Sequence, residues 1–335
     1  MSTINNKPQN KKHLLRQISP IATIISIILV IVAIIFLIQK TELKINEIIN
    51  TLKTINPIFF FLALLAHYTS FFFRGIRWKN FVTHTTNNKH KISPVYFTCL
   101  IIIGWFINSI TWFRLGDAYR SYLLSKKANM KLSTLLGTIV AERFVDTAVI
   151  FLFLVISFAL ISLQSNFFNL IYLLIGGITL TILLLLLICL GIFRNFIGKI
   201  LPNILQEMFM NFYHGIFDSF KKMPSSFALT VCIWTCEFTR LYLVGYALNI
   251  DISVGIAIFV NLANAMLSLI PFTPGGIGIV EIGMTGLLSL SLTSENAVSI
   301  AILDRLISYF SVIAIGGIIF VIEKFYKIKN SDDNR

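Results

Sequence analysis

The chain of 335 residues is 56% hydrophobic and only 13% charged, with 30 phenylalanines, an apolar excess that no water-soluble core of this length can hide. That excludes a soluble enzyme or carrier and makes lipid the solvent. The net charge of +13 does not signal nucleic acid, because the basic residues sit in short clusters beside apolar runs and not along one soluble face.

Residues 1–19 form a tail carrying Lys7, Lys11, Lys12 and Arg16. Ile21–Ile38 approaches the roughly 20 apolar residues that cross a bilayer, and Gln39-Lys40-Thr41-Glu42 follow it in place of a small-residue cleavage site. It reads as a retained signal anchor. Ile58–Phe73 is the second span, leading to Arg77. Val95–Leu124 has basic clusters on both sides, Arg74–Lys91 and Arg114–Lys131, so it enters from the cytosol and returns there as a re-entrant hairpin. Its polar tip runs Asn108-Ser109-Ile110-Thr111-Trp112-Phe113-Arg114-Leu115-Gly116-Asp117.

Ala148–Leu163 and Leu170–Phe193 are two further spans, the first preceded by Glu142, Arg143 and Asp146. Residues 195–223 place Phe196, Ile200, Ile204, Met208 and Phe212 about four apart, the pattern of an amphipathic helix anchored in the cytosolic interface. Phe227–Leu248 crosses outward with Glu237 and Arg240 inside it. Val254–Leu292 lacks basic residues at both flanks and is the second hairpin, entered from outside. Ala297–Ile322 carries Asp304 and Arg305 and delivers Lys324, Lys327 and Lys329 to the cytosol.

This arrangement puts 22 of the 28 Lys and Arg residues on the cytosolic side, as the positive-inside rule requires. The expected fold is an all-α polytopic membrane protein with about six full transmembrane helices and two re-entrant broken hairpins, both termini being cytosolic. Eight full spans are the alternative. The membrane domain covers residues 20–323, and residues 324–335 form a cytosolic tail.

The second hairpin contains Pro271-Phe272-Thr273-Pro274-Gly275-Gly276-Ile277-Gly278-Ile279-Val280-Glu281, which no continuous helix accommodates. Broken backbone at membrane depth is tolerated where it is buried in protein or lines a wet cavity; a kinked packing element is the plainer reading. Asp117 and Glu281 are 164 residues apart, Arg77 and Arg240 163, Arg143 and Arg305 162. Three ionisable pairs at one offset indicate an internal duplication, repeat one at about 57–163 and repeat two at about 225–322. With one repeat entering as the other leaves, the repeats are inverted, the architecture of alternating-access transporters.

Charges inside a span cost about 2.5–3.5 kcal/mol each when isolated. The acids and arginines must therefore pair or face water. As internal ion pairs they lock the bundle. As a binding set the arginines suit a bidentate grip on phosphate, helped by helix N-termini at the breaks. The candidate substrate-binding residues are Arg77, Arg114, Asp117, Arg120, Glu142, Arg143, Asp146, Arg240, Pro271, Pro274, Gly275, Gly276, Gly278, Glu281, Asp304 and Arg305.

Arg77-Trp78, Gly116-Asp117 with Arg120, Glu142-Arg143 with Asp146, and above all Pro271–Glu281 resemble the flippase-like membrane region of lysylphosphatidylglycerol synthases, over roughly residues 15–325. The resemblance implies translocation of an aminoacylated or otherwise polar lipid in a prokaryotic plasma membrane, or service to a lipid-linked glycan pathway. The chain departs from the full synthases in lacking the soluble aminoacyl-transferring domain, since only Lys324–Arg335 follow the last span. It also has Arg114 and Asp117 where the family more often shows a proline and a glutamate.

Two other functions stand beside transport. An enzyme of lipid-linked substrates lacks sequence support: His13, His67, His84, His90 and His214 make no HExxH, and neither GxSxG nor GxxxxGK[ST] occurs, so no metal or nucleotide cofactor is expected. Cys99, Cys189, Cys232 and Cys236 lie in apolar runs and read as packing residues. A non-transporting partner of a lipid or glycan biosynthesis enzyme is the stronger rival. Either way the direct partners are membrane lipids with polar or anionic headgroups. For topology, a cysteine placed at Asn88 should react with an impermeant thiol reagent from the cytosol and one at Asn166 from outside; the opposite pattern refutes the assignment.

Overall fold

The computed structural model describes residues 45–86, 92–111, 114–162, 202–268 and 273–332, with 178, 181, 182, 185 and 191 as isolated helical positions. The expected spans Ile21–Ile38 and, those positions apart, Leu170–Phe193 lie outside them. Every regular element among the described residues is helical: α1 Ile45–Lys53, α2 Pro57–Thr86, α3 Pro94–Ile110, α4 Leu115–Ala128, α5 Leu132–Ser162, α6 Asn203–Ser219, α7 Met223–Ala247, α8 Val254–Leu267, α9 Ile279–Leu288, α10 Ser294–Arg305 and α11 Ser311–Asp332. A 3-10 turn at Phe220–Lys222 joins α6 to α7, and a π-helical turn at Leu306–Phe310 joins α10 to α11.

Among the described residues four helices are long and apolar enough to span a bilayer, Pro57–Thr85, Leu132–Ser162, Met223–Ala247 and Ser294–Phe325, and they coincide with four expected spans. The protein is an all-α multi-pass membrane protein. Helices α3, α4, α8 and α9 run 17, 14, 14 and 10 residues. At 1.5 Å per residue these lengths reach only roughly 15–25 Å, short of a ~30 Å core. Each pair therefore turns back within it. In the first hairpin α4 returns along α3, with Asn108 Oδ1 accepting the Gly116 N–H at 2.8 Å.

Backbone geometry explains both breaks. Thr111 is extended (φ −120, ψ 156) and ends α3, while Arg114 is left-handed (φ 52, ψ 44) and starts α4. Across the second break Gly275, Gly276 and Gly278 take φ of 61, 73 and 85, which glycine adopts without the Cβ penalty. Arg114 and Gly278 are 164 residues apart, and each starts its helix from positive φ. The duplication thus extends to the backbone.

The two halves keep separate apolar cores. One gathers Phe71, Trp78, Phe97, Leu100, Leu124 and Leu135; the other gathers Leu241, Val244, Val260, Met284, Ile300 and Leu303. Between them α2 and α7 cross antiparallel: the Asn56 N–H donates to the Ala247 carbonyl at 2.8 Å, Arg77 Nη1 to Thr230 Oγ1 at 2.7 Å, and Thr85 Oγ1 lies 3.3 Å from Ser219 Oγ. As equivalent helices of the duplication, they make the repeats inverted, related by a pseudo-twofold axis through their crossing.

One expectation changes. Arg74, Arg77 and Arg120, counted above with the cytosolic loop charges, are buried at 6%, 1% and 2% exposure, because each finds a carboxylate inside the bundle. Removing them from the count leaves the cytosolic bias in place. Helix α6 keeps Met208 of its apolar stripe 53% exposed, while Ile216 and Ser219 are buried against the bundle. The reason is a close crossing with α5, where Gly137 and Gly215 bring the two backbones together and a Cβ on Gly137 would meet the Gly215 Cα at 2.8 Å.

A methyl group at Gly116 would strike the Gly104 carbonyl and approach Asn108 Oδ1 to 2.8 Å. Gly116→Ala should destabilise the first hairpin by about 1–3 kcal/mol, measured as unfolding of the purified protein in detergent, while Gly286→Ala, with open space around it, should leave stability unchanged.

Candidate functional site

The helix breaks bring both hairpin tips to the same place, beside the middles of α2 and α7. There they enclose a cavity of about 130 Å³, lined by Asn108, Ser109, Thr111 and Arg114 from the first tip and Ser268, Thr273 and Gly275 from the second. His67, Arg74, Trp234, Glu237 and Arg240 form its floor, and Arg305 and Tyr309 its far wall. At roughly 30 Å³ per liquid water, the volume suits a small polar group such as a phosphate.

Glu237 ties the floor together. It accepts hydrogen bonds from Ser70 Oγ at 2.7 Å, Arg74 Nη2 at 3.2 Å and Arg240 Nε at 3.4 Å, and His67 Nδ1 lies 3.5 Å away. Arg74 in turn stands between the Trp105 and Trp234 rings, 5.2 and 6.0 Å from their centroids, where ring quadrupoles favour a cation. Arg240 also binds Asp304. On the far wall Arg305 Nε donates to Glu281 at 2.5 Å and Nη2 to the Gly275 carbonyl at 3.2 Å, with its guanidinium 4.5 Å from the Tyr309 ring. Glu281 accepts the Gly278 N–H at 2.6 Å, and Tyr309 donates to the Ser109 carbonyl at 2.9 Å. The π-helical turn directly after Arg305 carries Ser308 and Tyr309 to the cavity, and such turns often mark functional sites.

Behind the first hairpin lies a second, largely buried polar cluster. Arg77 holds Asp146 through both Nη atoms at 2.6 and 3.3 Å and reaches Glu142 at 3.4 Å. Arg120 binds Glu142 at 2.5 Å and Asp117 at 3.1 Å, and stacks 4.5 Å over Trp78. Arg143 sits 3.8 Å from both Asp117 and Asp146. Three arginines face three carboxylates here. Around the cavity the same balance holds for Arg74, Arg240 and Arg305 against Glu237, Asp304 and Glu281.

The ion pairs obey the duplication. Arg240–Asp304 repeats Arg77–Glu142, and Arg305–Glu281 repeats Arg143–Asp117, each residue shifted by 162–164 positions. Asp304 and Arg305, adjacent in the chain, take separate partners: Asp304 goes to Arg240 and Arg305 to Glu281. Adjacent residues on a helix point to different faces.

Of the candidate residues, Arg114, Arg240, Gly275 and Arg305 line the cavity. Glu281 and Asp304 stand behind it as partners, and Gly276 and Gly278 shape its second tip. Pro274 opens a 3-10 turn there, and Pro271 lies outside the described residues. Arg77, Asp117, Arg120, Glu142, Arg143 and Asp146 belong to the second cluster. The sequence reading passed over Arg74, His67, Trp234 and Thr273 and did not choose Glu237. One signal was present, since Arg74 and Glu237 are 163 residues apart, the repeat offset, with opposite charge.

Residues 23–316 match the family profile of the lysylphosphatidylglycerol synthase TM region. The chain belongs to that family. Among similar proteins of the family is a UPF0104 membrane protein of Methanocaldococcus jannaschii, 33% identical over 220 residues that cover 65% of this chain and 94% of the relative. Another, from Pyrococcus horikoshii, is 27% identical over 290 residues, 78% of this chain and 86% of that protein. A second from M. jannaschii is 26% identical over 305 residues, 84% and 89% of the two.

Within this family member the Arg240–Asp304 pair makes a stability test. Asp304→Leu leaves Arg240 short of its partner and should cost about 3–5 kcal/mol, whereas joint Arg240→Met and Asp304→Leu should recover most of it, read as unfolding in detergent. A double variant as unstable as the single one refutes the pairing.

Proposed function

We propose that this protein moves a polar or anionic lipid between leaflets, seating the headgroup in the cavity between the hairpin tips while the acyl chains stay in the surrounding bilayer. The observation that carries this reading is that four residues lining the cavity each hold a buried polar atom without a hydrogen-bond partner among the described residues: Arg74 Nε, Trp234 Nε1, Thr273 Oγ1 and His67 Nε2. Each such group costs about 1–3 kcal/mol when unsatisfied. Three carry an N–H or O–H, so an oxygen-rich ligand repays their burial. Inverted repeats with broken helices meeting at one polar site support transport over a scaffolding role.

Carriage also fits the chemistry better than catalysis. The lone carboxylate on the cavity wall, Glu237, is held by three donors and is not free to serve as a general base. The basic loop charges support a cell-membrane orientation with both termini cytosolic.

The test is translocation of a headgroup-labelled lipid in reconstituted vesicles. A side chain at Gly275 would run into the Tyr309 ring and come within 3.2 Å of the Ser109 Cα, and its φ of 61 resists L-residues. Gly275→Leu should still insert yet lose at least about tenfold in flux, by the cost of a blocked close approach. Absence of flux from the wild-type chain with every polar lipid tried would favour the partner role instead.

A further inference from the structure

The charges around the hairpin tips do not cancel. The cluster behind the first hairpin is balanced, and so are the pairs around the cavity, but Arg114 stands outside both. It lines the cavity and donates Nη1 to the Ser268 carbonyl at 3.2 Å, reaching from the first hairpin tip to the second. Among the described residues no carboxylate lies within ion-pair distance of it. Arginine does not shed its proton in proteins, so the cavity lining carries one half-buried positive charge without a carboxylate in contact, and such a charge favours an anionic ligand.

Its backbone points the same way. Arg114 holds φ 52, a left-handed conformation that is costly for a residue with a Cβ, where the second repeat places Gly278 at the equivalent position. Strain of this kind persists at ligand clamps, where the surroundings over-determine it. An ammonium group finds no welcome beside it: Glu237 is saturated by donors, and the carbonyls of Ser268 and Gly275 are taken by Arg114 and Arg305.

We infer that Arg114 makes the cavity selective for a headgroup with a single net negative charge, a phosphodiester anion, against aminoacylated headgroups whose ammonium groups cancel that charge. A phosphodiester oxygen accepts from the Arg114 guanidinium on the cavity lining, and the net charge of the filled site falls to zero. A diphosphate headgroup overshoots this balance. The inference rests on the cavity being a headgroup site, and it concerns which headgroup, not whether it is moved.

The experiment is thermal unfolding of the full chain in detergent, titrated with dioctanoyl phosphatidylglycerol, its lysyl ester and farnesyl diphosphate. Wild type should bind phosphatidylglycerol at least about tenfold more tightly than either competitor, the worth of one charge-assisted hydrogen bond. Arg114→Asn, which tolerates the left-handed backbone, should lose that preference, and Arg114→Lys should keep it. Should the asparagine variant fail to fold, Arg114→Gly replaces it. Equal or tighter binding of the lysyl ester or of the diphosphate by wild type, or a preference that survives loss of the charge, overturns the inference. Vesicle flux separates it from the transport reading. Selective binding without flux leaves charge selection standing and removes transport; flux without charge preference does the reverse; no binding of any of the three removes the headgroup site itself.

Discussion

A charge inside lipid must find a partner, and in this fold the first partner is set at the crossing of α2 and α7. On an inverted twofold axis a helix residue faces its own equivalent, so identical charges there would repel. Arg74 and Glu237 occupy equivalent positions with opposite sign and bind each other at 3.2 Å. The symmetry is broken where it would be intolerable. Everything else hangs from that contact: Glu237 also fixes Arg240, and Arg240 fixes Asp304 on α10.

Away from the axis, equivalent residues no longer meet, and the duplication can repeat whole ion pairs without conflict. It does so twice, yet the copies are unequal. Arg305 grips Glu281 at 2.5 Å, while Arg143 stands 3.8 Å from Asp117 and is 37% exposed. One repeat turns its arginine to the cavity, and the other gathers three arginines around three carboxylates, with Arg143 at the cluster's exposed edge.

The hairpin tips show how local chemistry serves this scaffold. Glycines at positive φ let the second tip approach Tyr309 and Ser109 closely, and a backbone carbonyl, Gly275, becomes a ligand for Arg305. In the first tip an arginine accepts the same backbone geometry at a cost. What this gains is a guanidinium at the cavity mouth in place of a hydrogen.

Much of the fold was legible because lipid imposes strict rules on one-dimensional patterns. Apolar length marks spans, proline and glycine mark breaks, basic clusters mark a face, and a constant offset between ionisable residues marks a repeat. Pairing was not legible. Glu142-Arg143 and Asp304-Arg305 invite neighbour pairs on paper, but one residue along a helix is a turn of about 100°, so each charge looks toward a different helix. Which arginines seal the bundle and which face the cavity therefore depends on how the helices cross. The sequence alone determined the solvent, the helices, their breaks and the duplication; only the tertiary structure decided the partners, because those are chosen across interfaces between segments up to 243 residues apart.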